Sequence, residues 1–164
     1  MRLLAIDPGS TESGWVVIDS ETRKPLQFGK SPNAKVLDHC YGDIAWNRIV
    51  VEMVASYGMA VGAHVFETCV WIGRFIEAAD WMGDYPRHPE RVLRKDVKLH
   101  HCHKVSAKDS NIRQALVDRF APGQPNHGKG TTADPGWFHG FRADIWQAYA
   151  LAVYVADTYE KDAA

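Results

Sequence analysis

Three acidic residues stand in apolar surroundings, where an uncompensated charge is costly. Asp7 closes the run Leu3-Leu4-Ala5-Ile6 and is followed at once by Pro8-Gly9-Ser10. Glu52 closes Ile49-Val50-Val51 in the same way, and Asp144 lies within Arg142-Ala143-Asp144-Ile145-Trp146-Gln147-Ala148. Acids delivered by two buried strands and a distant helix point to a metal centre, because Mg²⁺ and Mn²⁺ take hard oxygen ligands. Without an ion, repulsion among them would raise at least one carboxyl pKa. Two ions about 3.5–4 Å apart could hold the attacking water and the leaving oxygen of phosphodiester hydrolysis. Asp-Pro-Gly alone is ordinary turn chemistry, with Asp capping the turn and Gly supplying a permissive backbone.

The first third of the chain must supply the strands. Residues 2–6 and 14–19 are apolar runs joined by a Pro-Gly-Ser turn, and 25–30 offers a third strand, which makes a meander. Residues 34–42 predict a short helix and 48–55 a buried strand. After a turn at 56–59 comes a long helix, with Val61, Val65, Cys69, Ile72 and Ile76 on one face and Phe66, Val70 and Gly73 beside them. Residues 90–100 are expected to return to strand. A helix is expected over 107–120 with Ser106 as N-cap, and a last helix over 141–158. Residues 121–139 have no periodicity and form a long loop, either functional or disordered. Strands first, then alternating helix and strand, predict an α/β fold with a mixed sheet and helices on its faces.

With 164 residues and 46% hydrophobic content, the chain reads as one domain over 1–164 with a full core. Its apolar runs are short, and Met1-Arg2 leads directly into a strand. Neither a signal peptide nor a membrane span is expected, and the expected location is the cytoplasm. Three cysteines, Cys40, Cys69 and Cys102, argue against a disulfide framework; Cys40 and Cys69 read as small core residues. The net charge of −1 hides an uneven distribution, since residues 85–119 hold nine Lys or Arg against four acids. A basic face beside an acidic pocket is one reading of that segment, and a solvated surface is the other.

Taken in order, Leu-Leu-Ala-Ile-Asp-Pro-Gly-Ser, Val-Val-Glu, Val97-Lys98, the Ser106-Ala107-Lys108-Asp109-Ser110-Asn111-Ile112 helix start, and Ala143-Asp144 followed by Ala148, Ala150 and Ala152 resemble the RuvC family of Holliday-junction resolvases. The resemblance spans almost the whole chain, and the run over 111–116 is similar to versions carried by bacteriophages. It implies a ribonuclease H-like fold and a metal-dependent endonuclease that resolves four-way or other branched DNA by paired nicks. It also implies a homodimer, with Mg²⁺ or Mn²⁺ held by Asp7, Glu52 and Asp144. Phage origin would place it in the host cytoplasm.

The resemblance departs from the family pattern at the fourth ligand. The family carries two acids, or a histidine and an acid, three residues apart on the last helix; aligning Asp144 with the first puts Gln147 at the second. The other register makes Asp144 the second and leaves Phe141 as the first, which supplies no ligand. A Gln carbonyl can ligate a hard cation but brings no charge, so Gln147 is either a weak fourth ligand or an inactivating change. The latter implies a non-catalytic branched-DNA-binding protein.

Lys98 and Lys108 resemble the family's two functional lysines, with Lys108 displaced by one from the family position, now Asp109. Lysines there would contact phosphate or stabilise developing charge. Arg113 belongs to the same basic segment and is a candidate DNA contact. Tyr57 and Met59 stand where the family keeps residues that probe the junction centre; an aromatic there could stack on unpaired bases or simply pack.

His100-His101-Cys102-His103 offers zinc ligands, but adjacent residues diverge and no spaced Cys-x-x-Cys accompanies them, so a surface turn is the simpler reading. Trp71, Trp81, Trp137 and Trp146 read as core or interface aromatics. The second helix and the stretch from Ile145 to Ala156, where only Gln147 is strongly polar, both need cover, from a second subunit or from the chain's own sheet. An ATP-binding domain of the actin and sugar-kinase type needs two domains and a longer chain. A ribonuclease H acting on RNA–DNA hybrids is the remaining enzymatic alternative.

Overall fold

Alternation along the first strands dictates two separate cores, one on each face of a single sheet. The computed structural model describes residues 1–55, 58, 60–81 and 89–162. In it β1 (Arg2–Asp7), β2 (Glu12–Asp19) and β3 (Pro25–Pro32) form an antiparallel meander. β4 (Arg48–Met53) then joins β1 in parallel, and β5 (Glu90–Leu93) joins β4 in parallel, giving the order β3-β2-β1-β4-β5. Leu3, Ala5, Val16, Ile18 and Val50 face one side, while Leu4, Ile6, Val17, Ile49 and Val51 face the other. This period-2 pattern is what a sheet covered on both faces requires.

The first face is covered by α5 (Ile145–Asp162), which is flanked in turn by α3 (Arg94–Cys102) and α4 (Asp109–Phe120). The second face is covered by α1 (Asn33–Cys40) and α2 (Ala63–Asp80). Every residue from Ala148 to Val153 is fully buried. The apolar last helix therefore takes its cover from its own sheet and from α3 and α4. It does not present a subunit surface, contrary to one expectation above.

The structure corrects several boundaries. Residues 90–100 were expected as strand, but only Glu90–Leu93 pairs with β4, and Arg94–Cys102 is helical. Leu93, Val97 and His101 recur every four residues, so the inward positions follow a helical rather than a strand period. Asp96 in the first turn suits the helix dipole. α4 begins at Asp109, with Lys108 rather than Ser106 at the N-cap; the Lys108 N–H donates to Asn111 Oδ1 at 2.9 Å. The last helix starts at Ile145 rather than Phe141, because Ala143 has a φ of 39°, outside the helical region.

Residues 121–139 are ordered by aromatic anchors. Phe138 and Phe141 are buried, and Trp137 stacks on Phe120 at 5.4 Å and donates from Nε1 to the Tyr149 hydroxyl at 3.0 Å. Cys40 is buried, but Cys69 is exposed and is no core residue. On α2 the apolar stripe divides. Ile72 and Phe75 enter the core, while Phe66 is 61% and Val70 58% exposed. Among the described residues no helix is long and apolar enough to cross a membrane.

Candidate functional site

The site is built at the carboxyl ends of the parallel strands, the edge at which open α/β sheets bind ligands. Ile6 is in register with Val51, so Asp7 and Glu52 emerge side by side as β1 and β4 end. The turn after Asp7 is fixed by a buried polar network. Asn33 Nδ2 donates to the Gly9 carbonyl at 2.9 Å, Ser13 Oγ donates to Asn33 Oδ1 at 2.6 Å, and the Gly9 N–H donates to Ser13 Oγ at 3.2 Å. Such satisfied buried networks hold one geometry. Asp144 arrives from the other side: it precedes α5, and its carbonyl accepts the first helical hydrogen bond, from the Ala148 N–H at 3.0 Å. Its backbone lies against Gly14, the partner of Asp7 across the β1–β2 ladder.

Two cations hold these acids. Arg94, the first residue after β5, donates to Glu52 Oε2 at 3.0 Å and to Asp109 Oδ1 at 2.6 Å, and also to Gln147 Oε1. Lys30 pairs with Asp144 Oδ2 at 2.7 Å. Among the described residues, Asp7 alone of the three acids has no hydrogen-bond or ion-pair partner. Burial pushes its carboxyl well above the usual range, the charges of Glu52, Asp144 and Asp109 push the same way, and Arg94 opposes them. Glu52 is also raised, first by burial and then by Asp109, against the pull of Arg94 and Lys98. This is the electrostatic signature of carboxylates crowded together in low dielectric.

The residue types fit a hard divalent cation: three carboxylates, one of them half-buried with no donor among the described residues, and a Gln carbonyl. Among the described residues, however, no group of three His, Cys, Asp or Glu side chains is arranged to hold an ion. Glu52 is engaged by Arg94 and Asp144 by Lys30. An ion would have to take over the place of these side chains.

The remaining candidates divide by location. Lys98 lies near enough for its charge to act on Glu52. Lys108 lines a separate hollow with Cys102, Lys104 and Asn111, and its neighbour Asp109 is the residue that joins the acid group through Arg94. Arg113 lies over the Trp146 ring, 5.9 Å from its centroid, beside Gln147. Tyr57 and Met59 lie outside the described residues. The histidine run diverges: His100 Nε2 pairs with Asp157 at 2.8 Å, His101 Nε2 donates to the Ala150 carbonyl at 2.9 Å, and His103 is the left-handed C-cap of α3. Burial takes the His101 imidazole down to about 4. These histidines tie α3 to α5.

Sequence reasoning missed Arg94, Lys30 and Gly14, and noticed Asp109 only as a break in the family pattern. Reading Leu93, Val97 and His101 as a helical period would have placed Arg94 at the strand end next to Glu52.

No family model and no curated protein matches the chain. Solved structures do. Thermus thermophilus RuvC is 16% identical with a TM-score of 0.69, over 99% of this chain and 97% of that one. T. thermophilus RuvC in complex with Holliday junction substrate is 15% identical with the same TM-score, over 99% and 96%. The chain thus has a RuvC-like, ribonuclease H-like α/β fold along its whole length.

Proposed function

We propose that the chain is a metal-dependent endonuclease that cuts four-way or other branched DNA by paired nicks as a homodimer. The observation that carries this reading is the meeting of Asp7, Glu52 and the N-terminus of α5 at one sheet edge, with the Asp7 carboxylate half-buried and without a hydrogen-bond or ion-pair partner among the described residues. Branched DNA as the substrate is supported by the likeness to RuvC bound to a Holliday junction.

Asp7, Glu52 and Asp144 would hold Mg²⁺ or Mn²⁺, with the Gln147 carbonyl as a neutral fourth donor. When bound, the ion activates water for attack on phosphorus and neutralises charge on the leaving oxygen. Arg94 offsets part of the rise that burial imposes on the Glu52 pKa. With an ion on Glu52, the Arg94 guanidinium would be free to meet a phosphate oxygen. Lys98, close to Glu52, adds positive charge where the scissile phosphate would lie. Asp7 must lose any proton its raised pKa lets it keep, so ion binding should strengthen with pH.

The second subunit is assigned to α2. Phe66 is 61% and Val70 58% exposed there, with Cys69 also exposed between them, and Val61, just before the helix, is 45% exposed. An apolar face of this kind needs a partner.

The test is nicking of a synthetic four-way junction with Mg²⁺ or Mn²⁺, beside a linear duplex and an RNA–DNA hybrid. Junction-selective paired nicks support the reading. Tight junction binding with no cutting would instead assign the chain to a non-catalytic branched-DNA binder, for which Gln147 would be the reason. Selective cutting of the hybrid would make it a ribonuclease H.

A further inference from the structure

Beside the carboxylates lies a pocket of about 350 Å³ whose charge is opposite to theirs. The first two turns of α4 supply Ser110 and Arg113 to its wall, the segment before α5 supplies Lys129 and Arg142, and Trp146 and Gln147 close it from α5. None of Arg113, Lys129 and Arg142 pairs with a carboxylate among the described residues; Arg113 only lies over Trp146. The one acid at the rim, Asp109, has its carboxylate occupied by Arg94. Three uncompensated cations from two separate segments converging on one cavity is unusual in a chain of net charge −1. The pocket shares Gln147 and Asp109 with the Arg94 network, so it is continuous with the acid edge.

We propose that this pocket holds a phosphodiester of the cleaved strand, one or two nucleotides from the scissile position, and that Lys129 and Arg142 are its binding residues together with Arg113. The proposal rests on the reading of the chain as a nuclease for branched DNA. A strand carries one charge per ~3.4 Å of axis, so a strand laid across the carboxylates must place a neighbouring phosphate close by. That neighbour needs cations where the scissile phosphate needs an acid-held ion. Trp146 is only 4% exposed and offers no open face on which a base could stack, so the pocket suits a phosphate rather than a flipped base. Ser110 adds a neutral hydroxyl donor.

The experiment measures binding of a synthetic four-way junction in EDTA, with single methylphosphonates stepped along the strand on both sides of the nick position. In the unmodified protein, one or two positions should weaken binding when neutralised. In the Lys129→Ala/Arg142→Ala double variant those positions should no longer matter, and the slope of log affinity against log salt should flatten by about one unit per lost contact. Arg142 is exposed and Lys129 half-buried, so the fold should survive. The charge-retaining pair Lys129→Arg/Arg142→Lys should restore both effects. An Ala variant that keeps the original slope and the original methylphosphonate sensitivity would overturn the pocket assignment, as would sensitivity to abasic substitution in place of charge removal. Failure of the unmodified protein to bind the junction at all would instead overturn the nuclease reading beneath it.

Discussion

Gly14 lies so close beneath Asp144 that a Cβ on it would meet the Asp144 carbonyl oxygen at 2.6 Å and the Asp144 Cβ at 2.8 Å. The absence of a side chain on β2 is thus what lets the start of α5 reach the end of β1. Gly14→Ala should push Asp144 away from Asp7, destabilise the fold by roughly 1–3 kcal/mol and weaken Mg²⁺ binding measured by calorimetry. Unchanged ion affinity in a folded variant would place Asp144 outside the ligand set.

Arg94 joins Glu52, Asp109 and Gln147 and so substitutes for an ion that the acids otherwise lack. Removing one partner of a half-buried charge pair leaves the other uncompensated. Arg94→Ala should melt lower than the unmodified chain in EDTA, and added Mg²⁺ should raise its melting temperature by more than it raises that of the unmodified chain. An equal or smaller rise would mean that guanidinium and ion do not share a place.

The raised pKa of Asp7 has a sign for stability. A carboxyl raised in the folded state stabilises the fold while protonated, and that contribution is lost as pH rises through the folded pKa. In EDTA, Asp7→Asn should therefore melt higher than the unmodified chain at neutral pH. The gap should close on acidification below the raised pKa. A variant less stable at every pH would make Asp7 a structural acid.

On α2, Cys69 sits between exposed Phe66 and Val70. Cys69→Arg should leave the fold intact and yield monomers by sedimentation that no longer make paired nicks. An unmodified chain that sediments as a monomer at micromolar concentration would remove the basis of paired cutting.

The sheet was legible because its signal is local. Leu3 to Ile6 and Ile49 to Val51 are apolar runs short enough to be strands, and the structure pairs them in parallel. Asp7 and Glu52 could be read as neighbours for the same reason. The counter-charges were not legible, because Arg94 is 42 residues from Glu52 and 53 from Gln147, and Lys30 reaches Asp144 across the sheet. Only the fold brings such pairs together. The strand predicted through Arg94 hid it further, since a helix start turns that side chain differently from a strand position. Exposure on α2 was likewise hidden: spacing marks Cys69 and Ile72 alike as apolar, but only packing decides which of them the sheet covers.

The central claim, an ion-dependent cutting centre built on Asp7, is tested most directly by comparing cleavage and binding of one four-way junction by the unmodified protein and by Asp7→Asn with Mg²⁺. Loss of an outer-shell partner alone typically costs about 10–100-fold in metal affinity or activity, so loss of a ligand should reduce nicking by at least about a hundredfold. Junction affinity in EDTA should stay within about threefold, because the phosphate contacts remain. An Asp7→Asn protein that still nicks the junction at the unmodified rate would contradict the account.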